Sequence, residues 1–142
     1  MRNATFPLWW FAAASAFLSA LIGCQSSPTT PTVGGDPYVG PDITLDSSGR
    51  VHVAAVLAPS PGWTITLDRT TEGFGRSRLF LTLRQPSPGL AYPAVMVTQR
   101  VAAEVRTTEP VDLFARVVEF TDTESEAPYL PVLSTPSPRT RP

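Results

Sequence analysis

Apolar residues recur at every second position through most of the chain after Asp36, in short runs separated by turn residues. Trp63, Ile65 and Leu67 alternate with Thr64, Thr66 and Asp68, the pattern of a strand with one face in water. Val51, Val53, Ala55 and Leu57 alternate with His52, Ala54 and Val56, and Leu79, Leu81 and Leu83 stand opposite Phe80, Thr82 and Arg84. In the segment 94–106, Val95, Val97, Val101, Ala103 and Val105 share one side, and Gln99 interrupts them, which predicts a bulge or a break. The segment 111–120 is apolar on both faces, with Leu113 and Val117 on one and Phe114, Val118 and Phe120 on the other. Such a strand belongs inside a sheet.

The connectors read as hairpins. Asp46-Ser47-Ser48-Gly49 follows Ile43-Thr44-Leu45, with Asp46 placed to form an Asx-turn and Gly49 to supply a positive φ. Pro59-Ser60-Pro61-Gly62 and Pro86-Ser87-Pro88-Gly89 repeat one turn signature, proline fixing φ and glycine accepting the reversal. Proline-rich segments also dock in aromatic grooves, but strands bracket these two closely, so they are read as turns. Breakers come too often for a helix of ordinary length. The expected fold is all-β: a small antiparallel β-sandwich or open barrel of five to seven strands.

The first 23 residues have a different character. Arg2 precedes an apolar block from Phe6 to Leu18, small residues follow, and the chain then reaches Cys24, its single cysteine. Leu21-Ile22-Gly23-Cys24 resembles the lipobox of bacterial lipoproteins. That resemblance implies cleavage between Gly23 and Cys24 and lipidation of Cys24, which becomes the first residue of the mature chain. An uncleaved anchor is the competing reading, since 18 mostly apolar residues from Phe6 are nearly enough to cross a bilayer; an ordinary secretory signal is a third. All three place the domain outside the cytoplasm. The organisation expected is a signal peptide over 1–23, a lipidated cysteine with a disordered Pro/Ser/Thr tether over 24–36, a β-domain over 37–133 and a disordered tail over 134–142. An extended tether at about 3.1 Å per residue would hold the domain roughly 35 Å from the membrane.

Charge and cysteine content narrow the chemistry. Without Arg2 the chain has ten arginines against twelve carboxylates and no lysine, so it lacks the basic footprint of a nucleic-acid binder. With Cys24 lipidated no disulfide is available, and the fold must stand on its apolar core. One histidine and no free cysteine offer no ordinary zinc set. Asp122, Glu124 and Glu126 could meet calcium, but no glycine-bearing EF-hand loop accompanies them, and they read as a solvated acidic loop. No metal or cofactor is expected.

His52 is the sole histidine and lies mid-strand. There is no Gly-x-Ser-x-Gly elbow, and the serines sit in turns and tails, so no nucleophile is evidently aimed at it. Trp63, directly after a turn, is either a core plug or edge lid, or else an exposed aromatic anchor. Trp63, Tyr92 and His52 are the candidate binding surface; no catalytic residue is assigned.

The succession Gly62-Trp63, the apolar strand from Leu79 to Leu83, Pro86-x-Pro88-Gly89 and Val97-Thr98-Gln99 resembles the C-terminal domain of the lipoprotein subunit of a bacterial protease complex over residues 62–118. This chain departs from that pattern by inserting Leu90-Ala91-Tyr92-Pro93 and by lacking the proline after the glutamine step. The resemblance implies a non-catalytic, protein-binding module. The expected function is a lipid-anchored envelope β-domain, more a binding or accessory module than an enzyme, held by membrane lipid through Cys24 and facing the periplasm or exterior at the cell or outer membrane. Its expected partner is an envelope protein. A small envelope hydrolase or carbohydrate-binding protein is the alternative, and a structural component bound to wall polymer is a third. Gln25 after the cysteine, in place of aspartate, favours the outer membrane where a cell has one.

Overall fold

Burial on both faces singles out one strand. Leu79, Leu81 and Leu83 of β4 (Arg76–Arg84) are almost wholly removed from water on one side, and Phe80 and Thr82 on the other. The computed structural model describes residues 32–122 and 126–136; Gly23, Cys24, Glu124 and residues 137–142 lie outside them. Seven strands form two sheets: β1 (Asp42–Asp46), β2 (Val51–Ala58) and β5 (Val97–Arg106) in the order β1-β2-β5, and β3 (Thr64–Gly73), β4, β6 (Val111–Val118) and β7 (Leu130–Ser134) in the order β3-β4-β6-β7. The fold is all-β, as the alternation required.

The core lies between the sheets. Ile43, Ala54, Val56, Ala103 and Val105 of the three-stranded sheet meet Leu79, Leu81, Leu83, Val111, Leu113 and Ala115 of the four-stranded one. Each β4 leucine contributes about 1.5–3 kcal/mol by leaving water. Trp63, Ile65 and Leu67 pack against this cluster, while Thr64, Thr66 and Asp68 are exposed, so the one-sided pattern of β3 holds.

The pairing is antiparallel with one exception: β4 and β6 run parallel, from Ser77↔Val111 to Arg84↔Val118. β5 crosses to the other sheet before the chain returns as β6, which forces the parallel register. Gln99 does not break β5. It pairs with Val56 in unbroken register, and the irregularity lies further on, between the Val53↔Ala102 and Val51↔Arg106 pairs. The Gln99 side-chain amide donates to the Trp63 carbonyl at 2.7 Å, so its polar group is satisfied across the sandwich.

Turn chemistry follows the sequence in part. Ser48 N–H donates to Asp46 Oδ1 at 2.9 Å, the expected Asx-turn. Gly49, Gly62 and Gly89 do not supply positive φ; among the described residues that conformation occurs at Phe74 (φ 52°) and Gly75 (φ 73°). These two link β3 to β4 as a type I′ turn, closed by the Gly73↔Arg76 pair. Ahead of the expected boundary at 37, Gly34 N–H donates to the Tyr129 carbonyl and Tyr129 N–H to the Thr32 carbonyl, both at 2.9 Å, so this stretch already edges β7.

The register gives the sandwich two ends. At the Trp63 end are the starts of β1, β3 and β5 and the connections 59–63, 85–96 and 119–128. At the Phe74 end are the turns 47–50, 74–75 and 107–110.

Phe74 is fully exposed and adopts a left-handed backbone that favours glycine or asparagine. Phe74→Asn is expected to stabilise the protein by about 1 kcal/mol, read as a higher urea midpoint with unchanged slope. Leu81→Ala is expected to lower stability by about 2–5 kcal/mol in the same measurement.

Candidate functional site

At the Trp63 end, the sequence places apolar side chains on connections rather than strands. Leu90 is 63% exposed and Val95 and Met96 each 56%, in the link between β4 and β5, and Phe120 is 49% exposed just after β6. Val39, before β1, is exposed as well. Tyr92 and Trp63, on connections of the same end, are half-buried. The Tyr92 ring lies so close to Gly62 that a Cβ there would sit 2.6 Å from it. Gly62 therefore serves close approach rather than reversal, and it brings the two aromatic candidates to one turn.

The neighbouring loop is pinned by a cation. Arg84 Nη1 donates to the carbonyls of Glu119 (3.0 Å), Phe120 (2.9 Å) and Asp122, and Gln85 N–H donates to the Val118 carbonyl at 2.9 Å. Glu119, Asp122 and Glu126 are exposed, and the described residues of the connections 59–63, 85–96 and 119–128 include no arginine. Among the described residues, no group of three histidine, cysteine or carboxylate side chains is placed to hold a metal. The connections of this end therefore carry exposed apolar side chains and exposed carboxylates together.

His52 sits at the opposite end and is 2% exposed, so it shares no surface with Trp63 and Tyr92. Its Nε2 lies 2.9 Å from the Glu109 carbonyl, which can only accept; Nε2 therefore carries the proton and donates. Nδ1 then accepts from Ser47 Oγ at 2.8 Å. The histidine thus ties the β1–β2 turn to the β5–β6 turn. Ser47 is a nucleophile-type partner that sequence reasoning missed; the signal was its place at the mouth of the hairpin, five residues before His52. The ring is buried with both nitrogens engaged, and the nearby Ser48 N–H is committed to Asp46.

A second network covers the outer face of the four-stranded sheet. The β3–β4 register skips Asp68, a bulge that adds this residue to the strand. Its carboxylate accepts from Thr82 Oγ1 and from Tyr129 OH, the latter at 2.7 Å. Arg116 Nε donates to Thr82 Oγ1 at 2.8 Å, and its guanidinium lies 4.5 Å from the centroid of the Tyr129 ring. Beneath, Phe80 stacks on Phe114 and meets Tyr129 edge-on. Burial, then the bond to Asp68, raises the Tyr129 pKa. These contacts seal β4 from solvent.

Between β3 and β5 an open groove of about 750 Å³ is lined by Leu67, Arg69, Glu72, Glu104, Arg106 and Glu109, a mixture of both signs over a small apolar floor. Arg76 grips Asp112 through Nη2–Oδ1 (2.7 Å) and Nε–Oδ2 (3.0 Å), and its Nη2 also donates to the Thr135 carbonyl at 2.7 Å. The Arg76 bond holds the Asp112 carboxyl below the usual carboxylate range.

Two pH dependences follow, of opposite sign. Burial, with the Asp42 charge second, pushes the Tyr38 pKa up to about 12. A raised folded-state value contributes stability present below the unfolded pKa of about 10 and lost above it. Thermal melts are expected to fall as pH rises from about 10 towards 12, and to fall less in Tyr38→Phe. Asp112, with a lowered value, contributes stability present above its unfolded pKa of about 3.9 and lost as pH falls through its folded value. Asp112→Asn is expected to flatten that acid limb.

Compared with known proteins, the chain matches no family model, no curated protein and no solved structure.

Proposed function

We propose that this chain is a lipid-anchored domain of the cell envelope that holds or assists a protein partner through its Trp63 end, without catalysing a reaction. The observation that carries the reading is the concentration of exposed apolar side chains, Val39, Leu90, Val95, Met96 and Phe120, on the connections of that end. Scattered single hydrophobics need no explanation, whereas several gathered with two half-buried aromatics fit the apolar centre of an interface. The lipobox-like Leu21-Ile22-Gly23-Cys24 supplies the anchor. Diacylation gives stable membrane attachment at about 0.8 kcal/mol per buried CH₂. The anchor's place would be the cell membrane or, as Gln25 favours, the outer membrane, with the domain facing periplasm or exterior. The resemblance of residues 62–118 to a protease-complex lipoprotein subunit supports a binding role of the same kind. Among the described residues no helix is long and apolar enough to cross a membrane.

A small envelope hydrolase is the second reading, and the Ser47–His52 hydrogen bond favours it. A carbohydrate-binding role through Trp63 and Tyr92 rests on the same aromatics as the first reading.

A photo-crosslinking amino acid at position 90 of the full chain in cells is expected to give a discrete protein adduct, and the same group at Ser48, on the opposite end, none. Equal labelling from both positions contradicts the reading. In a hydrolase screen, Ser47→Ala is expected to match the wild type; activity lost with that exposed side chain would establish the second reading instead.

A further inference from the structure

We propose that the Trp63 end binds a cationic, amphipathic segment of its partner, with apolar side chains seated on Leu90, Val95, Met96 and Phe120 and lysines or arginines facing the exposed carboxylates. This rests on the binding role proposed above and specifies the chemistry of the partner.

Charge decides the occupant. In the described residues of the connections 59–63, 85–96 and 119–128 there are three carboxylates, Glu119, Asp122 and Glu126, and no cation; Asp42 at the start of β1 adds a fourth. All four are exposed. The nearest strand-end guanidinium, Arg84, directs Nη1 at three loop carbonyls. A second copy of this end would set like charges together, and an anionic lipid surface would meet the same repulsion. A basic amphipathic segment has both complementary parts: an apolar face for the uncovered side chains and cations for the carboxylates.

Two of the carboxylates, Glu119 and Asp122, flank Phe120 on one pinned stretch, and Leu90, Val95 and Met96 lie on a second connection. Arg84 fixes the backbone of Glu119, Phe120 and Asp122, and Tyr92 packed on Gly62 fixes the middle of the 85–96 link. Less ordering is left for the moment of binding, which favours affinity. Methionine at position 96 adds a side chain that adapts to differing apolar faces.

Trp63 makes the test direct. The other tryptophans are Trp9 and Trp10, so the full chain carrying Trp9→Phe and Trp10→Phe reports only from this end, whether or not it is processed. The probe is a tryptophan-free Leu/Lys peptide patterned as an amphipathic helix, added to the protein in phosphatidylcholine nanodiscs. It is expected to shift Trp63 emission saturably, and to bind several-fold more weakly as salt rises from about 0.05 to about 0.5 M. A Leu/Glu peptide of the same pattern, and a Ser/Lys peptide lacking the apolar face, are expected to leave the emission unchanged. Leu90→Ser with Met96→Ser is expected to weaken binding about tenfold or more with unchanged melting, and Glu119→Gln with Asp122→Asn to reduce the salt dependence measurably.

The proposal is overturned if the Leu/Glu peptide binds as well as the Leu/Lys peptide, or if no peptide moves Trp63. A shift caused by the nanodisc alone would make the bilayer the occupant. Self-association abolished by the Leu90/Met96 change would make it a second copy. Palmitate labelling of the same preparation separates the anchor from the site: a labelled Cys24 with no peptide response removes this proposal alone, and an unlabelled Cys24 removes the anchor alone.

Discussion

Water is excluded from both faces of β4, by the second sheet on one side and by an aromatic and polar cover on the other. With a single cysteine no intrachain disulfide is possible, so stability comes from keeping one strand out of water on both sides. Its leucines close the space between the sheets, while Phe80 and Thr82 lie under Phe114, Tyr129, Arg116 and Asp68. The second cover has to be polar as well as aromatic, because Thr82 carries a hydroxyl that burial leaves costly unless it is bonded. Asp68, added by a bulge, and Arg116, from the neighbouring parallel strand, complete that bonding. The two faces of β4 thus recruit residues from β3, from β6 and from Tyr129 just before β7.

A sandwich built this way leaves its two ends with different tasks. The Phe74 end is tied by polar contacts: His52 between Ser47 and Glu109, and Arg76 between Asp112 and Thr135. These bonds use up groups that in another setting would be reactive. The Trp63 end has the longer connections, and there the apolar side chains exceed what the core accepts. Tyr92 and Trp63 mark the border, partly packed and partly in water. Function is therefore sought where the fold leaves apolar surface uncovered, not where it places its only imidazole.

Period-two alternation disclosed the strands with local, one-sided or fully apolar patterns: the pair around Asp46, Trp63 to Leu67, Leu79 to Leu83, and the Val111 strand. It did not disclose β7, whose Pro131 pairs with Phe114 on a strand at the end of the sheet order, where a missing N–H is tolerated. β3 also runs on to Gly73 through Arg69-Thr70-Thr71-Glu72, which carries no apolar alternation and is held as an edge strand by pairing with β4. The parallel β4–β6 pairing is non-local and left no local mark. Trp63 and Tyr92 were legible as aromatics beside turns, but their meeting over Gly62 joins residues thirty positions apart. Ser47 and His52 were both visible, yet the turn that aims one at the other was read as only a reversal.

The proposed anchoring places a packed domain on a lipid carried by Cys24, which lies outside the described residues. Intact-mass analysis of the full chain extracted from the cell envelope is decisive. The expected species begins at Cys24 and is heavier than its residues by a diacylglyceryl group. A chain that retains residues 1–23 with an unmodified thiol contradicts the anchoring.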